Sequence, residues 1–478
     1  MKKAASFALG CKVNQYESEA IAELFAEKGY EIVGIDEEAD VYVINTCTVT
    51  NFGDKKSRQL IRKVKRQNEN AIVAVVGCYA QTAPKELMEI AGVNLVIGTK
   101  DRAQIVEMVE QYDRANGVEN HVSDIMKERV FEPLSIQKLA NRTRAYLKIQ
   151  DGCSQYCSYC IIPYARGPIR SREPQEVVAE VKRLAENGFK EVVLTGIHVA
   201  SYGKDRRDTS LLDILKQVHE VEGIERIRFS SIEPNVVTEE FAQTMAALPK
   251  VCDHFHLSLQ SGCDKTLKEM NRKYDTEKYR QAAATLRKYL PKVALTTDII
   301  VGFPGETEED FRESYAFAEE IGFAKIHVFP YSPKRGTPAA ARKDQLLNAV
   351  KSERSHTLIQ LSDRMAADFL ADAVGTDAEV LYERAVGEGI YEGHTTNYMK
   401  VHGRSEADLT NRIASTDLYR KVMTEFPDCG LIASGGVSCL QDLIGLNEAG
   451  IPAVVFGKAI YEGRISLNEL AEWAENKG

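Results

Sequence analysis

No apolar run in the chain approaches the roughly 18 residues needed to cross a bilayer as a helix, so no membrane-spanning helix and no membrane partner are expected. The first residues, Met1 to Gly10, lack the long apolar segment and cleavage site of a secretion signal, and the chain is expected to stay in the cytoplasm. A disorder signature is also missing: 44% of residues are hydrophobic and 27% charged, as in an ordinary globular protein. At 478 residues the chain can bury the cores of two to four domains. Positive charge is in deficit, with a formal net charge of −9, which weighs against a nucleic-acid partner until the charges are located. Asp54 to Arg66 carries seven basic residues against one acidic, and Lys138 to Arg172 again carries seven against one, so the mean hides two basic stretches.

The ten cysteines, in a reducing compartment, read as metal ligands or spares rather than disulfide partners. Three of them, Cys153, Cys157 and Cys160, fall within eight residues after the alternating run Ala145-Tyr146-Leu147-Lys148-Ile149. Neither a fourth cysteine nor a histidine lies nearby to complete a zinc site, which almost always takes four ligands. A [4Fe-4S] cube held by three thiolates leaves one iron open, where a small molecule can bind and receive an electron.

Up to about residue 125, short apolar runs alternate with amphipathic helices, the pattern of a parallel α/β sheet. Three strands each deliver a cysteine at the carboxyl end: Ser6 to Cys11, Val41 to Cys47 and Ala71 to Cys78. Carboxyl ends of neighbouring parallel strands share one edge, so Cys11, Cys47 and Cys78 can converge into a second three-thiolate site. The alternative is that each is a small buried hydrophobe. The helix after Cys47 places Leu60, Ile61 and Val64 on one side and Arg58, Arg62, Lys65 and Arg66 largely on the other. That basic side is either a solvated face or, beside a cysteine site, a contact for phosphates.

Residues 126–142, polar and containing Pro133, suit a linker. Six apolar strand candidates follow, at 144–150, 191–197, 225–232, 254–260, 292–301 and 323–330, with helical stretches between them. Six βα units fall short of the eight of a closed barrel and predict an open, partial one. Gly196, Glu233, Gln260 and Asp298 sit at strand ends where barrel enzymes place their chemistry, and they serve equally well as structural hydrogen-bond partners. Residues 377–403 alternate apolar and polar with turn glycines, predicting a small antiparallel β unit. From about Ile413 the pattern changes to two βα units, Leu431 to Val437 and Ala453 to Ala459 with the helices after them.

The spacing Cys153-x3-Cys157-x2-Cys160 is that of radical S-adenosylmethionine (SAM) enzymes, and the first 410 or so residues resemble the radical SAM methylthiotransferases almost end to end. The segments Gly10 to Glu19, Ile44 to Thr50 and Cys157 to Gly167 resemble the branch of that family acting on threonylcarbamoyladenosine. The resemblance implies an α/β fold class: an N-terminal parallel α/β (Rossmann-like) domain at 1–125, a linker at 126–142, a partial (βα)6 radical SAM barrel at 143–370, and an incomplete TRAM-like RNA-binding domain at 371–412. The βαβα tail at 413–478 resembles the last two units of a histidine-biosynthesis isomerase, without the strands that carry its catalytic aspartates, so no isomerase activity is expected.

The same resemblance implies two [4Fe-4S] clusters and SAM as cofactors. Cys153, Cys157 and Cys160 would be ligands of the SAM-binding cluster and catalytic, Cys11, Cys47 and Cys78 ligands of an auxiliary cluster, and Gly196, Glu233, Gln260 and Asp298 would line the SAM pocket. The partners implied are the anticodon stem-loop of a tRNA, gripped by the two basic stretches, and an external electron donor. The expected product is the 2-methylthio derivative of N6-threonylcarbamoyladenosine at position 37. Competing readings are a methylthiotransferase for isopentenyladenosine-37 tRNA or for a ribosomal-protein aspartate, and, from another class, a non-catalytic RNA-binding protein whose cysteines hold zinc.

Overall fold

The computed structural model describes residues 1–136, 143–374, 376, 378–405, 407–415, 432–434 and 453–455. The chain begins with a six-stranded, all-parallel sheet of β1 (Lys3–Ala8), β2 (Glu31–Ile32), β3 (Val41–Thr46), β4 (Ile72–Gly77), β5 (Leu95–Val96) and β6 (Glu119–Asn120). Its strand order is β2-β1-β3-β4-β5-β6. Every residue of β3, Val-Tyr-Val-Ile-Asn-Thr, is buried, as expected of a central parallel strand covered on both faces. Tyr42 and Ile44 join the core on one side, and Val41 and Val43 the core on the other.

The covering helices are α1 (Lys12–Glu27), α2 (Asn51–Gln67), α3 (Cys78–Thr82), α4 (Pro84–Met88) and α5 (Ile105–Gln111). Thr50 caps α2 by accepting a hydrogen bond from the Gly53 N–H at 3.1 Å, a contribution of about 1 kcal/mol. The buried side of α2 is formed by Asp54, Ser57, Ile61 and Val64.

The second unit contains the six expected parallel strands: β7 (Arg144–Asp151), β9 (Glu191–Gly196), β10 (Arg226–Phe229), β11 (His254–His256), β12 (Ala294–Val301) and β13 (Lys325–Pro330). The short β8 (Arg170–Ser171) adds to β7 antiparallel. Ladders join β7 to β9, β9 to β10, β11 to β12 and β12 to β13, and the parallel bridges Ile227–Val251 and Ile232–Leu257 carry the curve from β10 to β11. β7 and β13 are not paired to each other, so the barrel is open. Amphipathic helices cover its outside; Pro174–Glu186, for example, turns Val177, Val181 and Leu184 onto Leu147, Val192 and their neighbours. Tyr16 and Ala20 of α1 belong to this same core, so the N-terminal unit packs directly on the barrel.

A third unit is a four-stranded antiparallel sheet, β14 (Glu379–Gly387), β15 (Ile390–Thr395), β16 (Lys400–Arg404) and β17 (Arg412–Ser415), ordered β16-β15-β14-β17. Arg412–Ser415 thus adds a fourth strand to the β unit by pairing with Glu379–Tyr382. Further on, β18 (Ile432–Ser434) and β19 (Ala453–Val455) pair in parallel; the helices expected between and after them lie outside the described residues. Among the described residues no helix is long and apolar enough to cross a membrane.

Candidate active site

Adjacent parallel strands β1, β3 and β4 end at one edge, with Ala8 beside Asn45 and Thr46 beside Gly77. This brings Cys11, Cys47 and Cys78 together: Cys11 caps α1, Cys47 follows β3 and Cys78 opens α3. Gly10 holds φ +105°, and a Cβ there would sit 2.6 Å from the Cys47 Cβ and 2.8 Å from its Sγ, so only glycine fits. Burial pushes the Cys47 thiol up to about 12, and the neighbouring Cys78 and Cys11 add to the rise. Burial likewise raises Cys78, against the pull of Arg166.

The second triad lies on the loop leaving the carboxyl end of β7. Burial raises Cys153 to about 11 and Cys160 to about 12, with Cys157 pushing in the same direction. The loop is pinned by backbone hydrogen bonds from Cys153 N–H to the Gly167 carbonyl at 3.0 Å and from Ser158 N–H to the Met270 carbonyl at 2.9 Å.

An arginine reaches each triad. The helix α6 (Ile162–Arg166), which continues from the second triad, packs on α3 of the first. Its last residue, Arg166, is fully buried and donates from Nε to the Cys78 Sγ at 3.1 Å and from Nη2 to Asn14 Oδ1 at 2.7 Å. Arg272 donates from Nη1 to the Cys157 Sγ at 3.3 Å and from Nη2 to Glu233 Oε1 at 2.7 Å. Cationic N–H groups aimed at sulfur suit thiolates inside an anionic cluster.

Glu17 organises the space between the triads. It lies on α1, is wholly buried, and pairs with Arg166, with Arg102 at 2.6 Å and with Lys148 at 2.7 Å. Asp151, two residues before Cys153, shares Lys148 at 2.6 Å and Arg166 at 3.5 Å. Burial opposes ionisation of Glu17, but Arg102, Arg166 and Lys148 outweigh it and hold the carboxyl well below its usual range. A carboxylate surrounded by three buried cations stays charged.

The four barrel residues expected at a SAM pocket are placed unequally. Glu233 joins the second triad through Arg272, lies 3.0 Å from His198 Nε2, and accepts from Gln155 Nε2 at 3.4 Å. Gly196 ends β9 against Gln150, whose Oε1 would lie 2.8 Å from a Cβ there. Gln260 takes φ +72°, a strained position for a side-chain-bearing residue, and its N–H donates to the Asp298 carbonyl at 2.8 Å. Asp298 lies 3.3 Å from His256 Nε2, in a separate polar cluster of the lumen beside His327. Sequence reasoning missed Glu17 and Arg166, although both stand in segments that carried the resemblance, and it missed Arg272 and His198, which had no sequence signal.

One expectation is corrected. The stretch Lys138 to Arg172 is not a phosphate-facing patch: Lys148, Arg166, Arg170 and Arg172 are 3% exposed or less, and Arg144 13%. They are consumed by Glu17, Asp151, Glu180 and Glu191, because joining two units around buried carboxylates needs buried cations. Lys138 and Arg142 lie outside the described residues. The other stretch does face solvent, with Lys55, Lys56, Arg62, Lys63 and Arg66 of α2 exposed.

Between the units opens a cavity of about 930 Å³, walled by α2, α3, α4 and the loop after β13. Its lining includes Tyr79 and Ile161, the sequence neighbours of Cys78 and Cys160, but none of the six cysteines themselves.

Residues 147–318 match the Radical SAM superfamily, 3–98 the Uncharacterized protein family UPF0004, and 410–466 the Histidine biosynthesis protein family. A "Threonylcarbamoyladenosine tRNA methylthiotransferase MtaB" from Bacillus subtilis (strain 168) is 47% identical over 425 residues, 88% of this chain and 94% of that protein. The chain belongs to the radical SAM methylthiotransferases. A like-named protein from Thermotoga maritima is 34% identical over 95% of this chain and 100% of its own length. A "tRNA-2-methylthio-N(6)-dimethylallyladenosine synthase" from Thermoanaerobacter sp. (strain X514) is 38% identical over 78% of this chain and 80% of its own. The fold is that of a radical SAM methyltransferase, TsrM of Kitasatospora setae, with a TM-score of 0.53 and 16% identity over 71% of this chain and 77% of that one.

Family membership brings SAM and two [4Fe-4S] clusters as cofactors, and the donor set fits them: two groups of three thiols, each with an arginine N–H directed at a sulfur. Among the described residues no three His, Cys, Asp or Glu side chains are grouped to hold a single metal ion. A cube permits the wider spacing, because each of its cysteines binds a different iron.

Proposed function

We propose that the chain converts N6-threonylcarbamoyladenosine at position 37 of tRNA to its 2-methylthio derivative. The observation that carries this reading is the pair of cysteine triads linked by the helix Ile162–Arg166, whose Arg166 reaches the Cys78 sulfur and Glu17. The relatives' names supply the substrate, since the 47%-identical relative is named for threonylcarbamoyladenosine. In this reading Cys153, Cys157 and Cys160 hold the SAM-binding cluster, Cys11, Cys47 and Cys78 hold the auxiliary one, and Gly196, Glu233, Gln260 and Asp298 line the SAM pocket. When bound, these groups supply a 5′-deoxyadenosyl radical and a carried methylthio sulfur.

The protein's own residues do the rest. Arg272 and Glu233 fix the second-triad loop against the barrel, and Arg166 fixes the distance between the triads. The wall shared by α3 and Ile161 presents the adenosine to both. The exposed basic face of α2 contacts phosphates of the anticodon stem-loop, and the exposed Phe52, Tyr156 and Tyr164 offer faces on which splayed bases stack. An external donor supplies electrons, and the reaction takes place in the cytoplasm. The domain limits fit the same reading: 1–125 for the auxiliary-cluster unit, 143–370 for the radical core, 371–412 extended by β17 for the TRAM-like unit, and 413–478 for the tail.

The test is anaerobically reconstituted protein with dithionite, SAM and tRNA carrying the threonylcarbamoyl group. A methylthio mass gain on that nucleoside is expected; its absence with both clusters loaded, or a gain only on dimethylallyladenosine, overturns the substrate.

A further inference from the structure

Charge accounting in the cavity between the two units leaves a remainder. Six charged side chains line it, Asp54, Arg58, Lys85, Glu86, Lys334 and Arg335. Asp54 and Lys334 form an ion pair, both nearly buried. Glu86 accepts from the Tyr79 hydroxyl at 3.0 Å, and that hydroxyl accepts from Arg58 Nη1 at 2.8 Å, so Arg58 and Glu86 are tied through one phenol. The Lys85 and Arg335 side chains have no hydrogen bond or ion pair among the described residues, and both residues stand exposed at the cavity wall. The cavity therefore offers two uncompensated cations on a lining that also includes Tyr79 and Ile161, the sequence neighbours of Cys78 and Cys160.

The position of Arg335 is built. The loop carrying it is held on one side by Asn51 Nδ2, which donates to the Pro333 carbonyl at 3.0 Å, and by the Lys334–Asp54 pair. On the other side the Thr337 hydroxyl donates to the Lys334 carbonyl at 2.7 Å, and the Ala339 N–H donates to the Ser158 carbonyl at 2.8 Å. The loop is thus fastened to both the N-terminal unit and the cysteine loop, and Gly336, at φ +91°, makes the turn beside Ile161.

We propose that Lys85 and Arg335 bind the carboxylate of the substrate's N6 side chain, and so select an adenosine bearing an acidic N6 group over one bearing an apolar group. The inference rests on the functional reading above. A threonylcarbamoyl group ends in one carboxylate, which two unpaired cations neutralise, with Arg335 able to grip both oxygens. A dimethylallyl group carries no charge, and seating it here covers the cations with nothing to pair them. Overall charge attraction to RNA does not require this arrangement, because α2 already offers an exposed basic face outside the cavity.

The test uses the full chain with both clusters reconstituted and two synthetic anticodon stem-loops. One carries N6-threonylcarbamoyladenosine, the other its methyl ester, which keeps the shape and removes the charge. Native protein is expected to favour the acid in kcat/KM. In Arg335→Ala and Lys85→Ala the acid-to-ester ratio is expected to fall about ten- to hundredfold, with Arg335→Lys recovering part of it. A ratio unchanged in both alanine variants overturns the inference, including the case where both substrates weaken equally through a lost phosphate contact. Native protein that turns over neither stem-loop overturns the functional reading, and this inference with it.

Discussion

At the scale of single residues, the site depends on groups that touch sulfur without being cysteines. Arg166 donates to the Cys78 Sγ and is itself oriented by Glu17 and Asn14. Hydrogen bonds to cluster sulfurs stabilise the reduced, more negative state. Arg166→Gln is therefore expected to shift the auxiliary-cluster potential downward, and Arg166→Lys to shift it less. The measurement is an electron paramagnetic resonance titration of protein whose Cys153, Cys157 and Cys160 are replaced by alanine. Gly10→Ala imposes both a strained φ and a clash with Cys47. It is expected to destabilise the strand end by about 1–3 kcal/mol and to lower bound iron from about eight atoms per chain towards about four, read by iron and sulfide counting. Close spacing marked Cys153, Cys157 and Cys160 in the sequence and strand-end positions marked Cys11, Cys47 and Cys78; the arginines were not legible, because a contact 88 residues away leaves no local pattern.

Elements transmit the same logic. Glu17 on α1 holds cations from three different segments, Arg102, Lys148 and Arg166, so α1 is the joint between the N-terminal sheet and β7. Glu17→Gln leaves these buried cations under-compensated and is expected to cost about 3–5 kcal/mol, measured as a lowered denaturant midpoint. The β unit docks differently. Arg144 and Arg226, each the first residue of its barrel strand, reach Glu383 and Glu379, and Tyr398 stacks between His254 and His394. The β unit thus covers the amino ends of the strands, away from the cysteine loop at the carboxyl end of β7.

Burial works against the charge on Glu383, but hydrogen bonds from His394 and Arg144 prevail and hold it at about 2. A depressed carboxylate stabilises docking fully above its unfolded value of about 4.3. That contribution is lost as pH falls through the folded value. Proteolytic release of the β unit is expected to accelerate as pH falls from about 5 towards about 2, and Glu383→Gln to reduce that pH dependence.

At the scale of the whole molecule, the N-terminal unit and the β unit each pack on the barrel, and β17 is the edge strand that extends the β unit's sheet. A chain ending after Ser415 keeps the β14–β17 ladder, whereas one ending after Asn411 strips the pairing of Glu379–Tyr382. The longer truncation product is expected to match the full chain in melting temperature and iron content, and the shorter to melt lower, as followed by circular dichroism.

The sequence by itself determined the strand and helix periods, the six-strand open barrel, the close spacing of Cys153, Cys157 and Cys160 and the strand-end positions of Cys11, Cys47 and Cys78, because hydrophobic repeats and residue spacing are local properties. It misread the arginines of residues 138–172 as a surface, since a charge count does not reveal which carboxylates a fold will bury beside it. Only the tertiary structure decided that Glu17 and Asp151 take those cations, that Arg166 reaches the other triad, and that Lys85 and Arg335 remain unpaired in the cavity. Those outcomes depend on packing one unit against another, where desolvation forces every buried charge to find a partner.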